Sequence, residues 1–317
     1  MTSREPSGDA LQAVLARQAM PGPQLEVMSA IARTGLTVAA HLRAKGDAAP
    51  APAGESTNRF ADEQSSLDVF TDELFRERLG AVPSVAVVAT EESPAATIPL
   101  AGREALSERY LVVLDPLDGS KNSPVGGTLG SIFAVMRDFV TAGDESRGLA
   151  DVIFAGYLLY SWETVLVIAT ATEVTQFTAG PDLAEFFETG TLRLATDGPI
   201  YSVNEGLRPG WSDATAASVD RIREGRSLRY TGCLVADFHR VLKEGGIYAY
   251  PASVSRPEGK IRLFYEIFPL AHVARTAGGT AATGAGLLPP AGGGKLDGIS
   301  EIYIGSEVPV RQALGES

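Results

Sequence analysis

The sequence predicts a layered α/β protein, and three observations carry that prediction. Some stretches repeat apolar residues every three or four positions, the helical period, while others are short runs rich in Val, Ile and Leu, the strand signal. The two kinds of stretch are interleaved along the chain. Gly, Pro or Asp bounds most of them.

The elements follow in chain order. Met1–Pro23 has mixed polarity and a Met20-Pro21-Gly22-Pro23 break, so it reads as an arm with at most a short helix. From Gln24 to Lys45, Leu25, Met28, Ile31, Ala32, Leu36 and Ala39 form an amphipathic helical stripe. Prolines and alanines between Gly46 and Gly54 break it as a loop. A second helix fits Ser66–Leu79, with Leu67, Phe70, Leu74 and Phe75 on one stripe. Strands are predicted at Val85–Ala89, Tyr110–Leu114, Ser131–Met136, Val152–Leu159 and Thr164–Thr170. Past Gly198 a second alternation places helices at Asp213–Glu224, Leu234–Glu244 and Leu270–Ala277. Strands there are expected at Gly246–Tyr250, Arg262–Tyr265 and Ile302–Gly305. Gly278-Gly279 closes the last helix as a C-terminal cap. The pattern implies an arm (1–23) and two lobes (24–195 and 196–317) joined near Thr196.

Composition narrows the function. The 317 residues are 44% hydrophobic and 21% charged, enough chain to bury a core in one large or two medium domains. The longest apolar runs, Ser84–Thr90 and Thr164–Thr170, fall far short of the roughly 20 residues of a membrane helix. The first residues have no apolar signal core, so a cytoplasmic protein is expected. Lys and Arg total 27 against 39 Asp and Glu, a net charge of −12, the wrong sign for a general nucleic-acid binder. The single cysteine, Cys233, excludes an intrachain disulfide and a multi-cysteine zinc site, and reads as a small buried hydrophobe. His41, His239 and His272 lie far apart in sequence, which argues against a histidine metal site. Asp237 and His239 fall within a helical period and read as helix surface or buried polar pairs.

Carboxylates concentrate at three strand ends. Tyr110-Leu-Val-Val-Leu runs into Asp115-Pro116-Leu117-Asp118-Gly119-Ser120. Proline cannot continue a central ladder, so the strand is expected to end and turn there. Such a turn can bring Asp115, Asp118 and the Leu117 carbonyl onto one ion, with the Gly119 and Ser120 amides facing a phosphate oxygen. Hard oxygen ligands suit Mg²⁺ or Mn²⁺. The competing reading is a plain strand-ending turn with solvated aspartates. Val85–Thr90 likewise delivers Glu91-Glu92, two adjacent acids that repel unless a cation sits between them or they point apart into water. Arg262-Leu-Phe-Tyr presents Glu266, and with Lys260 and Arg262 beside it the segment fits a metal and a phosphate together.

These motifs, taken together, resemble class I fructose-1,6-bisphosphatase over about Asn58 to Gly305. The matching stretches include Leu67-Asp68-Val69, Glu91-Glu92, Asp115-Pro-Leu-Asp-Gly-Ser120 and Asn204-Glu205-Gly206. Arg229-Tyr230, Tyr250-Pro-Ala252, Gly259-Lys-Ile-Arg262 and Tyr265-Glu266 complete the set. Asp-Pro-Leu-Asp-Gly-Ser alone is shared with inositol monophosphatases. Asn-Glu-Gly, Arg-Tyr and Lys-x-Arg-x-x-Tyr-Glu, in that order, single out the bisphosphatase branch. The resemblance implies an α-β-α-β-α sugar phosphatase fold and two or three Mg²⁺ per subunit, with Mn²⁺ as a substitute. It assigns the metals to Glu91, Glu92, Asp115, the Leu117 carbonyl, Asp118 and Glu266. Asp68 and Glu92 would orient and deprotonate the attacking water, with Asp62 completing the site. Gly119, Ser120 and Arg262 would hold the scissile phosphate. Asn204, Tyr230, Tyr250 and Lys260 would hold the sugar and its distal phosphate, with Arg229 reaching in from a neighbouring subunit of a homotetramer.

The implied activity is phosphate release from C1 of fructose 1,6-bisphosphate, a step of gluconeogenesis, with no nucleic-acid or membrane partner. Three departures bear on substrate and control. Lys121 replaces the family's second serine after Gly-Ser, and Leu207 replaces a tyrosine that touches the distal phosphate. Pro21-Gly22-Pro23-Gln24 stands where the family's AMP-binding Gly-Thr-Gly-Glu would be. Sedoheptulose 1,7-bisphosphate or a specialised-pathway sugar phosphate is therefore an alternative substrate. A non-catalytic metal-binding relative is the alternative of another class.

Overall fold

Residues 8–45, 56–57, 63–92, 98–99, 108–137, 148–289 and 293–316 are described by the structure, a computed structural model. Helix α1 (Leu11–Arg17) confirms a short helix in the N-terminal arm, and α2 (Gly22–Lys45) follows it. A two-stranded antiparallel pair, β1 (Ser56–Thr57) and β2 (Glu63–Gln64), precedes α3 (Ser66–Gly80).

The next strands form one sheet. They are β3 (Val85–Thr90), β4 (Ile98–Pro99), β5 (Tyr110–Asp118), β6 (Leu129–Arg137), β7 (Val152–Tyr160), β8 (Thr164–Ala169), β9 (Val174–Ala179) and β10 (Phe186–Leu192). Their order is β10-β9-β8-β7-β6-β5-β3-β4, with β3 and β5 parallel and the other neighbours antiparallel. A second sheet uses β11 (Ile200–Ser202), β12 (Ser227–Leu228), β13 (Gly246–Tyr250), β15 (Thr280–Thr283), β16 (Gly286–Leu287) and β18 (Ile302–Gly305), in the order β12-β11-β13-β18-β15-β16. Strands β14 (Ile261–Arg262) and β17 (Ile299–Ser300) pair with each other. The remaining helices are α4 (Asp213–Arg223), α5 (Leu234–Glu244), α6 (Phe268–Thr276) and α7 (Glu307–Ala313).

The apolar pattern explains the layering. Alternate residues of β5 part to opposite faces: Leu111 and Val113 join one core, Val112 and Leu114 another. The second of these cores packs the large sheet on α1, α2 and α3 through residues such as Leu15, Ile31 and Phe75. The first takes in α5 and α6 and reaches Tyr248, Ala281 and Ile304 of the second sheet, so those helices lie between the sheets. A third core packs the outer face of the second sheet on α4 and α7. The layers therefore run α-β-α-β-α. A central strand buried on both faces reads as continuous apolar residues, as β5 does.

Two sequence expectations need correction. The strand before the Asp-Pro-Leu-Asp turn does not end at Pro116. It runs on to Asp118 through a register shift, Asp115 pairing with Ile132 and Asp118 with Gly130. Pro116 lies inside that irregularity, where its missing N–H is not needed, and its carbonyl accepts from the Ser131 hydroxyl at 2.6 Å. The strand expected at 262–265 is also largely absent. Only Ile261–Arg262 is extended, and Leu263–Ile267 is a π-helical turn leading into α6, closed by the Phe268 N–H donating to the Leu263 carbonyl. Such one-turn π segments are frequent at functional sites.

Candidate metal and phosphate site

Three backbone segments converge on one point. The end of β3, the irregular stretch of β5 and the π turn deliver Glu91, Asp115 and Glu266, and one carboxylate oxygen from each lies within 4.8 Å of the other two. Two full charges at that separation repel by at least about 3 kcal/mol per pair at an effective dielectric near 20. Arg262 offers partial relief: its Nε sits 3.3 Å from Glu91 Oε1, and its backbone N–H donates to Glu266 Oε2 at 2.6 Å. One positive charge against three negative leaves an excess. Burial first, and then Glu91, Asp118, Glu266 and Glu92, push the Asp115 carboxyl well above the usual carboxylate range. Burial and Glu91 do the same to Glu266. Crowded carboxylate oxygens whose charged forms are disfavoured in this way suit a divalent cation, and all three are hard donors.

Asp118 is held from the other side of the molecule. Its Oδ2 accepts from the Val235 N–H at 2.6 Å and from the Cys233 thiol at 3.1 Å, both at the start of α5. Burial raises its carboxyl, and these donors, with the Leu234 and Gly119 N–H groups, pull it back. Gly119 adopts φ +79°, and a Cβ there would lie 2.8 Å from Cys233 Cβ, so glycine is required on both counts. The Leu117 N–H donates to Asp115 Oδ1 at 3.1 Å, an Asx turn that shapes the segment.

Asp68 enters from the first turn of α3. Ser65 caps that helix, accepting from the Asp68 N–H at 3.2 Å, while Asp68 Oδ2 accepts from the Ser65 N–H at 2.7 Å and its hydroxyl at 2.8 Å. The Ser120 hydroxyl approaches the same carboxylate, yet Asp68 Oδ1 is buried without a hydrogen bond of normal geometry among the described residues. Burial leads in raising this carboxyl. Asp68 thus keeps one buried carboxylate oxygen with acceptor capacity to spare.

The polar residues expected to meet a sugar gather on the second sheet's side. Asn204 Oδ1 accepts from the Gly206 N–H at 3.1 Å, and its side chain reaches the Tyr230 hydroxyl. Burial, Asp237 and Tyr250 together raise Tyr230, so the two tyrosines are neighbours. Tyr250 in turn senses Glu266. Lys260 follows Gly259, whose φ of +89° and closeness to the Ser300 and Glu301 backbone admit no side chain. Arg229 is not brought into this group: it is exposed, and its Nη1 donates to the Leu228 carbonyl at 2.8 Å. Asp62 lies outside the described residues. Lys121 is exposed.

Two residues carry more than the sequence suggested. Cys233 is buried, as expected of a small hydrophobe, but its sulfur faces Asp118; burial and Asp118 push the thiol up, so it remains protonated at neutral pH. Asp237 is buried and accepts from the Thr231 N–H at 2.9 Å and the Gly232 N–H at 3.3 Å, fixing the turn that carries Tyr230 and Cys233. No local signal could have revealed the Cys233 contact, because its partner lies 115 positions away. The histidines stay out of the acid cluster: His239 Nδ1 meets the Tyr157 hydroxyl, His272 the Thr170 carbonyl, and His41 stacks on Phe70.

A five-layer α/β fold with a buried carboxylate centre defines a metal-dependent α/β protein of the sugar phosphatase type. Comparison with known proteins specifies which. Residues 19–191 match the family model for the N-terminal domain of fructose-1-6-bisphosphatase, and residues 194–315 match that for its C-terminal domain. Cytosolic fructose-1,6-bisphosphatase of Oryza coarctata is 37% identical over 278 residues, covering 83% of this chain and 78% of that protein. The cytosolic enzyme of Arabidopsis thaliana is 37% identical over 269 residues, covering 80% of this chain and 76% of its own. Leishmania major fructose-1,6-bisphosphatase in holo form superposes with a TM-score of 0.89 at 29% identity, covering 98% of this chain and 99% of that one. The chain belongs to the fructose-1,6-bisphosphatase family.

Proposed function

We propose that this chain hydrolyses the C1 phosphate of fructose 1,6-bisphosphate, with Mg²⁺ as its working cation. The observation that carries the reading is the buried convergence of Glu91, Asp115 and Glu266, which costs repulsion that a cation relieves. Glu91, Glu92, Asp115, the Leu117 carbonyl, Asp118 and Glu266 would hold two or three Mg²⁺, or Mn²⁺. When bound, such cations polarise the phosphate and stabilise the charge on the leaving oxygen.

The chain's own residues do the rest. Asp68, with its unengaged buried oxygen, and Glu92 orient a water and accept its proton, and Asp62 completes the set. The water oxygen bonds to phosphorus as the bond from phosphorus to the C1 oxygen breaks. The alkoxide takes up a proton and inorganic phosphate leaves. Gly119, Ser120 and Arg262 hold the transferring phosphate, Arg262 being already buried beside the acids. Asn204, Tyr230, Tyr250 and Lys260 hold the sugar and its distal phosphate. Arg229, exposed and with its guanidinium donating to the adjacent Leu228 carbonyl, would serve a neighbouring subunit's site in a homotetramer.

The two-lobe division at 195/196 places most metal ligands in the first lobe and most sugar contacts in the second. The cytosolic names of the relatives support a cytoplasmic enzyme, and the reading assigns it to gluconeogenesis. One observation favours a second substrate. Leu207 is 42% exposed on the turn after Asn204 and offers no hydrogen bond from its side chain to a distal phosphate, which suits sedoheptulose 1,7-bisphosphate or another sugar phosphate. Phosphate release with Mg²⁺ from fructose 1,6-bisphosphate, sedoheptulose 1,7-bisphosphate, fructose 6-phosphate and inositol 1-phosphate separates the readings. Preference for the first is expected. Equal, weak turnover of all four would overturn it, and none at all would favour a non-catalytic relative.

A further inference from the structure

Asp118 meets the residue that caps α5, a helix that packs between the two sheets. Cys233 Sγ lies 3.1 Å from Asp118 Oδ2 and 3.9 Å from the Asp118 carbonyl, and the Val235 N–H fills a second position on the same oxygen. Both acceptors within reach of the thiol belong to Asp118. The close approach of Gly119 closes one side, and the Asp237 carboxylate pins the Thr231 and Gly232 amides that lead into Cys233 on the other. Cys233 is 0% exposed, so water does not substitute for the sulfur's hydrogen.

We infer that Cys233 is a positioning residue: its S–H donates to Asp118 Oδ2, fixes the carboxylate's rotamer, and leaves Oδ1 to serve the metal centre. This rests on the reading of Asp118 as a metal-holding acid given above. A hydrophobe of the same size would fill the volume and lose the donor. Removal of a donor that orients a metal ligand typically costs ten-fold to a hundred-fold in metal affinity or activity.

The test follows Mg²⁺ binding by thermal shift in the full chain. Cys233→Ala is expected to raise the Mg²⁺ midpoint by about ten-fold, and Cys233→Ser, which restores an O–H donor, to recover most of that loss. A wild-type midpoint in Cys233→Ala, or a Cys233→Ser variant no better than Cys233→Ala, overturns the inference. A second measurement leaves Cys233 intact. The chain has one cysteine, so its S–H infrared band reports this residue alone. The band is expected at lower frequency in the wild type than in Asp118→Asn, and equal frequencies overturn the inference even if Cys233→Ala fails to fold. Neither readout uses turnover, so failure of the sugar-phosphate reading appears separately, as no phosphate release from a wild type that still binds Mg²⁺. A wild type without any Mg²⁺ shift overturns the positioning role as well.

Discussion

At the scale of single residues, the site is a contest between burial and charge. Asp115 and Glu266 sit where water cannot screen them, and only protons, Arg262 or a cation can offset their charge. The sugar side is governed by hydrogen-bond donors, which is where Leu207 matters. Replacing it with tyrosine adds a hydroxyl at an exposed position on the turn that Asn204 caps. Leu207→Tyr is therefore expected to lower KM for fructose 1,6-bisphosphate several-fold with little change in kcat, a gain of roughly 1 kcal/mol for one net hydrogen bond. An unchanged KM would mean that the distal phosphate is gripped by other groups.

At the scale of elements, helix α3 ties stability to chemistry. Its capping box uses Asp68, so the carboxylate that satisfies the helix start is also the one proposed to take the water's proton. Ser65→Ala removes the cap and is expected to cost about 1 kcal/mol in urea denaturation, with a fall in kcat because Asp68 loses its hydroxyl donor while keeping the backbone one. An unchanged midpoint would show that the cap is idle. Elements were legible in proportion to their apolar periodicity. Helices over 24–45, 66–79 and 234–244, and the long strands of the first sheet, follow directly from buried stripes and runs. Strands β9 and β10 escaped because Thr, Gln, Glu and Gly interrupt their apolar residues, as expected near a sheet edge that exposes one face. The π turn escaped because Leu263–Ile267 is apolar enough to pass for a strand; the Arg262 N–H bond to Glu266 and the ring closed at Phe268 are tertiary consequences of where α6 packs. The acids that follow the apolar runs of β3 and β5 were legible, since such runs are readable. The thiol behind Asp118 was not, because only the fold brings 118 and 233 together.

At the scale of the whole molecule, a chain of net charge −12 carries a concentrated acid centre between its two sheets, and pH governs how costly that is. The raised carboxyls of Asp115 and Glu266 favour the folded, ion-free protein at low pH, and that contribution is lost as pH rises through their elevated values. Asp237, pushed up to about 6 by burial, adds to the same trend between the ordinary aspartate range and about pH 6. Mg²⁺ held by the first two would relieve them but not Asp237. Its thermal shift is therefore expected to grow as pH rises above the ordinary carboxylate range and protons cease to compete for the ligands. A shift independent of pH would place the cation elsewhere. The central claim joins this acid centre to phosphate release, and Asp118 stands where the sheet, α5 and the acids meet. The most direct test is Mg²⁺-dependent phosphate release from fructose 1,6-bisphosphate by the wild type and by Asp118→Ala, with circular dichroism to confirm the fold. Turnover that requires Mg²⁺ and vanishes in a folded Asp118→Ala is the predicted result; a variant with near-wild-type kcat would contradict it.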